Sequence, residues 1–329
     1  MNGVQKVIKY CAMAFAVFLS VVILGTIVTV VLGVTTGIAG VNAITGEDKE
    51  RINLSERYSP EEMTELGIHS VLVDCNAEIV VEQGTELSIE AFDVTDEYEI
   101  RLANGTFSIV QDAQDFGIHF FWFEDVTAHE KVIVTIPEEA ELDELKLLSG
   151  SGKVAVSKVV ADAVTLDSGS GSVSAEGIRA KQLFMDSGSG RVTVFDTNAE
   201  DTKLYTGSGG VTVERCELGK FRLDSGSGSV RMKEIVAENA NVETGSGAVS
   251  LEGSLTGKCK FDTGSGSLTL RLDGVEEEYL VSAECGSGTF RINGKKLDDG
   301  SYGTNVKGEI RIDSGSGSVN VEFNTPTEE

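Results

Sequence analysis

Proline, tryptophan and histidine are scarce in this sequence, and positive charge is in short supply. The 329 residues include 3 Pro, 1 Trp and 3 His, and 27 Lys and Arg stand against 53 Asp and Glu. A formal net charge of −26 argues against a nucleic-acid partner, because phosphate binding requires the opposite sign. Although 38 residues are Gly, the lack of proline argues against collagen and against Pro-rich disorder. An apolar fraction of 40 % predicts a folded domain.

Formal charge is also absent from a long N-terminal segment. No charged residue lies between Lys9 and Glu47, and residues 11–34 are almost wholly apolar. About 20 such residues span a bilayer as a helix, and this run exceeds the ~7–15 residues of a signal-peptide core. We therefore predict a cytoplasmic tail at residues 1–10 and an uncleaved transmembrane helix at residues 11–34. The alternative is signal-peptidase cleavage at residues 41–43.

The charges around this segment predict its orientation. Two lysines precede the apolar run and several acidic residues follow it, so the positive-inside rule places the N-terminus in the cytoplasm and the remainder outside the cell. A single-pass protein of the cell membrane with an extracellular C-terminal domain is expected. Residues 35–67 are predicted as a juxtamembrane linker with one short helix, which begins at Ser59-Pro60 and ends at Gly67.

Glycine is abundant because it marks a repeat. Gly-Ser-Gly triplets begin at nine positions, the first seven of them 19 residues apart: Gly150, Gly169, Gly188, Gly207, Gly226, Gly245, Gly264, Gly286 and Gly315. A fixed period near 20 residues is typical of a solenoid. The two longer steps contain insertions at residues 273–278 and 294–303, which we interpret as loops that leave a rung.

Four apolar columns recur around every triplet. They start at Leu145 and Leu147 before the first triplet and at Val154 and Val156 after it, and a spacing of two is typical of strands. We predict that these columns face inward on two short strands per rung. Glycine is expected at the corner for positive φ and for its missing side chain, and the triplet serines are expected to hydrogen-bond from rung to rung.

The predicted fold is all-β. It is a single-stranded parallel β-helix, or solenoid, of 19-residue two-strand rungs, preceded by one transmembrane α-helix. Residues 68–137 are predicted as irregular N-terminal β rungs and a cap, residues 138–323 as the regular Gly-Ser-Gly solenoid, and residues 324–329 as an acidic tail.

These patterns resemble a known family. The strand at residues 132–137, the lead-in at residues 141–148 and the Ser-Gly repeats from Ser149 to Val319 are similar to those of the bacterial putative-adhesin β-solenoid family, a domain of unknown function. The resemblance covers roughly residues 68–323 and extends to the common arrangement of one N-terminal membrane helix. It implies a solenoid, and it implies no catalytic residues because the family has no agreed activity.

Residue types that carry catalysis or bind metals form no recognisable motif. The three histidines, His69, His119 and His129, lie outside the repeats, and no Gly-x-Ser-x-Gly motif occurs. We therefore predict no catalytic residue, no cofactor and no metal site. Of the five cysteines, Cys11 lies in the predicted anchor and Cys75 lies far upstream of the repeats. Cys216, Cys259 and Cys285 fall in three different columns that do not superpose, so buried free thiols are favoured over disulfides or metal ligands.

One outward column is mostly acidic. It contains Asp167, Asp186, Tyr205, Asp224, Glu243, Asp262, Glu284 and Asp313. Such a file of carboxylates is a candidate for binding Ca²⁺. Cations two residues earlier on the same strands, among them Arg222 and Lys260, favour a neutralised solvent-facing surface instead.

Aromatic residues are the candidate partner-binding positions. Phe184 and Tyr205 are predicted to face outward on adjacent rungs, with Phe195 on the other strand, where they stack a sugar ring or anchor a protein partner. Residues 116–123 concentrate aromatic side chains, including Trp122. This segment is interpreted as a cap over the open end of the solenoid, or as a loop that touches the membrane or a partner.

The expected function is non-enzymatic. We predict a membrane-anchored cell-surface β-solenoid that serves binding, adhesion or scaffolding and meets a surface glycan or a protein partner. The alternative is an envelope-stress or regulatory membrane protein that acts through a membrane partner. A carbohydrate-active enzyme ranks third, because the repeat columns lack a clustered acid and base.

Overall fold

The computed structural model describes residues 51–111 and 130–324. The predicted cytoplasmic tail, the transmembrane helix, Trp122 and all but the first residue of the acidic tail lie outside these ranges. Within them, no helix has the length and apolar character that a membrane span requires.

The described chain begins with one strand and one helix. The helix α1 (Pro60–Leu66) has Ser59 as its N-cap, where Glu62 N donates to Ser59 Oγ at 3.3 Å, and it ends at Gly67 with φ 64°. The predicted short helix is therefore present. The strand β1 (Ile52–Tyr58) pairs antiparallel with β4 (Leu87–Val94). Residues 52–58, predicted as linker, instead belong to the folded domain, because their alternating apolar side chains pack on its core.

The remaining elements are strands, apart from a 3₁₀ turn at Glu276–Glu278. They are β2 (Ser70–Cys75), β3 (Glu78–Gly84), β5 (Tyr98–Ala103), β6 (Thr106–Gln111), β7 (Lys131–Pro137), β8 (Glu141–Ser149), β9 (Val154–Ser157), β10 (Val160–Ser168), β11 (Val173–Glu176), β12 (Arg179–Ser187), β13 (Val192–Phe195), β14 (Asn198–Thr206), β15 (Val211–Ser225), β16 (Val230–Thr244), β17 (Val249–Thr263), β18 (Leu268–Asp273), β19 (Tyr279–Cys285), β20 (Phe290–Ile292), β21 (Lys295–Leu297), β22 (Gly300–Gly303), β23 (Gly308–Ser314) and β24 (Val319–Asn324).

From β8 to β18 the rungs follow one another in sequence order. From β10 to β16 most positions pair in parallel with the positions 19 residues before and after them, as Val164 does with Leu145 and Leu183. Every residue of the four predicted columns is no more than 3 % exposed. The parallel solenoid with inward-facing apolar columns is confirmed.

A second corner in each rung has no uniform sequence signature. It is made by one residue with positive φ, at Lys158 (54°), Gly177 (67°), Asp196 (49°), Arg215 (54°), Glu234 (54°) and Gly253 (146°). Because four of these residues are not glycine, the sequence did not mark the corner. The strands β15, β16 and β17 continue through it as single bent strands.

Glycine is required at the triplet corner for steric reasons and not for positive φ. None of the described triplet glycines lies among the positive-φ residues. A Cβ on Gly190 would lie 2.1 Å from the carbonyl oxygen of Gly171, and one on Gly228 would lie 1.7 Å from that of Gly209. The corner therefore excludes side chains because backbones of successive rungs touch there.

The predicted hydroxyl ladder lies two residues earlier than expected. Ser168 Oγ donates to Gly152 O at 2.8 Å and accepts from Gly171 N at 2.9 Å, and Ser187 repeats both bonds one rung later. These residues precede the triplet and are fully buried. The triplet serines themselves are exposed. Buried backbone groups need partners, so the inner hydroxyl takes this role.

At the C-terminal end, the spatial order of the rungs differs from the sequence order. β23 pairs in parallel with β17 on one side and with β19 on the other, and β24 lies likewise between β18 and β20. The last rung in sequence, β23 and β24, therefore lies between the two rungs that precede it in the chain, and it is next to last in space. Residues 294–303, predicted as a loop, instead include β21 and β22, which add antiparallel to β20 and β19.

The N-terminal end shows the same exchange. β2 lies between β6 and β8, and β3 lies between β7 and β9, all in parallel pairs. The first rung in sequence is thus second in space. Antiparallel strands again follow the outermost rung, with β5 on β6, β4 on β7 and β1 on β4.

Candidate functional site

Four half-buried side chains form a patch on the outer surface of β10, β12 and β14. Phe184 and Tyr205 lie on adjacent rungs, with ring centroids 5.5 Å apart and ring planes inclined by 38°. Asp167 is in register with Asp186, which is in register with Tyr205. Phe184 and Asp186 share one face of β12 because they are two residues apart. We call these four residues the aromatic–acid patch.

The two carboxylates of the patch are in an unfavourable environment. Partial burial raises the pKa of Asp167 above its ordinary value. The pKa of Asp186 is also raised, first by burial and second by the charge of Asp167. In the described part of the chain, no cation lies within ion-pairing distance of either carboxylate, and neighbouring Lys203 instead lies 3.9 Å from Asp201.

The same column is neutralised further along the solenoid. Arg222 lies 3.6 Å from Asp224 and 3.8 Å from Glu243. Lys260 lies 3.4 Å from Asp262. The predicted charge pairing is therefore present at these rungs. Within the described residues, no ion pair forms at Asp167 and Asp186, and none forms at Glu284 and Asp313, where Arg311 was expected to pair with Asp313.

Phe195 is separate from the patch and already has a partner. It lies on β13, after the corner, and the guanidinium carbon of Arg215 is 5.7 Å from its ring centroid. Arg215 also donates from Nε and Nη2 to the two carboxylate oxygens of Asp196, at 2.7 and 2.9 Å. This bidentate bond lowers the pKa of Asp196. The structure thus brings together Phe184 and Tyr205 but not Phe195.

The described histidine does not form a catalytic triad. His69 Nδ1 lies 3.0 Å from Ser70 Oγ and 3.2 Å from Asp143 Oδ2. A triad needs two different ring nitrogens, one to accept the serine proton and the other to donate to the carboxylate. Here both partners meet the same nitrogen, Nδ1, so the two roles are not divided between the ring nitrogens. The arrangement is suited to holding the loop and not to activating a nucleophile.

The four described cysteines are free and buried, as predicted. Cys75 and Cys285 occupy, at the two ends, the position that Ser or Thr fills elsewhere, since they are in register with Ser149 and Ser314. Burial raises the pKa of Cys75 to about 12 and also raises that of Cys285. Thiols with such pKa values are poor nucleophiles at neutral pH. No grouping of three or more His, Cys, Asp or Glu suited to a metal ion occurs in residues 51–111 and 130–324.

An open groove of about 480 Å³ crosses the starts of β8, β10, β12 and β14 and was missed in the sequence. Leu142, Ala161 and Ala180 form its floor, and the ion pair between Lys181 and Asp162, at 2.7 Å, lies on its rim. The signal was the small side chain at three successive equivalent positions, Ala161, Ala180 and Ala199, which leaves room outside the core.

The sequence matches one family model. The model described as Toastrack DUF4097 matches residues 68–220 and 207–327. A search of curated proteins gives no significant match.

A comparison with solved structures finds several that are similar to this chain. A "putative lipid binding protein" from Parabacteroides distasonis is 17 % identical with a TM-score of 0.50, over 83 % of this chain and 97 % of that chain. A "putative cell adhesion protein" from Clostridium sporogenes is 14 % identical with a TM-score of 0.25, over 84 % and 100 %. A "putative adhesin" from Bacteroides fragilis is 12 % identical with a TM-score of 0.40, over 85 % and 100 %. At 17 % identity, the first of these structures indicates a similar fold and says nothing about function.

Proposed function

The chain belongs to the Toastrack DUF4097 family, and on this premise we propose that it is a non-enzymatic binding protein of the cell surface. In this proposal residues 11–34 anchor it in the membrane, and a side face of the solenoid contacts the partner.

The aromatic–acid patch is the observation that carries the proposal. Aromatic side chains that are half exposed and stacked on each other supply contact area at little entropic cost. Phe184 and Tyr205 project from strands that have parallel neighbours on both sides, so their positions are fixed before a partner arrives. A preorganised aromatic pair is typical of the centre of a binding surface.

The ends of the solenoid also favour a side face as the contact surface. Antiparallel strands close both ends, and they block the stacking of further parallel rungs. The outer faces of the parallel strands remain available along the whole length.

Site-specific crosslinking tests the proposal. A photo-crosslinking amino acid is placed at Tyr205 in the full-length chain, in its native cells, and a matched chain carries it at Thr212 on the other side of the corner. We expect a discrete adduct from Tyr205 only. The double variant Phe184→Ser/Tyr205→Ser should lose about 30-fold or more in affinity for the recovered partner, as hot-spot truncation does, whereas Phe195→Ser should not. Adducts from both positions, or from neither, would refute the proposal.

A further inference from the structure

We infer that the aromatic–acid patch is a docking site for an arginine side chain presented by a protein partner. This inference rests on the proposed function and specifies the chemistry of its partner. Three observations support it. The first is another aromatic–aspartate group in this molecule that already binds an arginine, the second is the two carboxylates without an ion-pair partner, and the third is the planar shape of the guanidinium group.

The group that already binds an arginine consists of Phe195, Asp196 and Arg215. One aromatic ring and one aspartate from neighbouring positions hold an arginine, which stacks at 5.7 Å from the ring centroid and binds both carboxylate oxygens. The arginine comes from the next rung, 19 residues after the aspartate. This solenoid surface therefore already shows which side chain an aromatic ring and a carboxylate select.

The aromatic–acid patch contains the same two kinds of group, each of them twice. Phe184 and Tyr205 form the aromatic part, and Asp167 and Asp186 form the acidic part on adjacent rungs. The register positions that hold Arg222 and Lys260 further along this face are occupied by Thr165 and Phe184 beside these carboxylates. Two carboxylates on neighbouring strands, which are about 4.8 Å apart, repel each other, and a cation placed between them relieves that repulsion.

Arginine fits this patch better than other cationic groups. Its planar guanidinium stacks on aromatic faces and binds carboxylates in a bidentate manner, whereas a lysine ammonium is a strongly hydrated point charge. Lys146 and Lys203 flank the two aspartates diagonally. The negative charge is therefore confined to the patch, which selects one inserted arginine over a broadly basic surface.

Peptide binding to the full-length chain in detergent tests the inference. The probe is an immobilised peptide of repeated Ala-Arg-Ala-Gly units, compared with the same peptide carrying lysine or uncharged citrulline in place of arginine. The test variant is Asp167→Asn/Asp186→Asn. The matched control is Glu243→Gln/Asp262→Asn, which removes equal charge from the same column at positions that already have cations within 4 Å.

We expect the arginine peptide to bind more tightly than the lysine peptide and the citrulline peptide to bind least. Asp167→Asn/Asp186→Asn should lose about tenfold or more in affinity for the arginine peptide, and the control less than twofold. Equal losses in both double variants would show general charge attraction and overturn the inference, as would equal binding of the arginine and lysine peptides.

The crosslink at Tyr205 separates this inference from the proposed function. If the adduct forms but is insensitive to Asp167→Asn/Asp186→Asn, the patch is a contact surface and the arginine inference is wrong. The same conclusion applies if a glycan, and not a protein, is recovered. If no adduct forms in the unaltered chain, the proposed function itself fails.

Discussion

The middle of the solenoid and its two ends are built by different rules. From β8 to β18, sequence order equals spatial order, a buried Ser or Thr supports most corners, and all pairing between rungs is parallel. At each end, two rungs exchange places, a cysteine replaces the hydroxyl, and antiparallel strands close the sheet. The comparison teaches that repetition propagates the fold but cannot terminate it, since every added rung exposes a new edge.

The exchange has a consequence for how the C-terminal end is stabilised. The outermost rung, β19 and β20, has its parallel neighbours in β23 and β24, which come later in the chain. Each middle rung, in contrast, rests on a rung that precedes it in sequence. The outermost rung is therefore stable only when the last described residues are in place.

Deletion of residues 305–329 is the change with the largest expected effect. It removes four buried apolar side chains, Ile310, Ile312, Val319 and Val321, at about 1.5–3 kcal/mol each before entropy is subtracted. It also leaves β19 and β20 without parallel partners. Expressed as residues 47–304, the protein should melt about 10 °C lower, and hydrogen exchange should show residues 279–292 to be unprotected.

A second deletion, of residues 274–329, is the control. Both truncated chains should have the same Tm, because residues 274–303 contribute nothing once β23 and β24 are gone. If the shorter deletion is clearly more stable than the longer one, the outermost rung stands alone and the inserted order is wrong.

A triplet glycine in the middle and the glycine that ends β3 should respond differently to an added side chain. Gly228→Ala brings a Cβ to 1.7 Å from Gly209 O and 2.9 Å from Gly210 N, and paired backbone cannot retreat. We expect a loss of about 3 kcal/mol. At the N-terminal end, a Cβ on Gly84 meets only the Thr135 side chain, whose methyl group can rotate away. Gly84→Ala should cost less than about 1 kcal/mol. Urea unfolding measures both, and equal losses would remove the distinction.

Corner hydroxyls should matter more in the middle than thiols do at the ends. Ser168→Ala leaves Gly152 O and Gly171 N without the bonds of 2.8 and 2.9 Å that they now make, at a cost of about 1–3 kcal/mol. Cys285→Ala should cost less, because a thiol is a weak donor and acceptor. Ser170→Ala, at the exposed triplet serine, is the control and should stay within about 0.5 kcal/mol. A larger loss of stability for Ser170→Ala than for Ser168→Ala would show that the triplet serine, and not Ser168, makes the stabilising hydrogen bonds between rungs.

The sequence predicted the middle of the solenoid well because the same pattern of burial and register recurs in every repeat. Apolar columns such as Val164 and Val173 report burial directly, and the 19-residue step fixes the register. Residue type also indicated the stacked pair of Phe184 and Tyr205, since a large aromatic in an outward column stands out against its polar neighbours.

Features that depend on which rungs are neighbours were beyond the sequence. The order of β19 and β23 leaves no local signal, because both strands carry the same pattern. The positive φ of Arg215 and Glu234 is imposed by the closure of each rung, which overrides their own preference. The sequence placed Phe195 on the other strand, but its pairing with Arg215 was missed because it depends on a residue one rung away.

The smallest expected effect concerns Asp167 and Asp186 in the middle of the solenoid. These two acidic residues have no ion-pair partner, and the fold tolerates them because the surrounding rungs are stable. The pKa values of Asp167 and Asp186 are raised in the folded state, so their ionisation works against folding. This penalty is absent below the ordinary aspartate pKa of about 3.9 and develops as the pH rises through the folded-state values. Asp167→Asn/Asp186→Asn should therefore raise the Tm by about 1 °C at pH 7, and the gain should vanish toward pH 4.

Asp196→Asn should lower the Tm at pH 7, because the pKa of Asp196 is lowered by Arg215. Melting curves from pH 4 to pH 8 measure both, and a gain that persists at pH 4 would show that the two aspartates destabilise the fold by a cause other than charge.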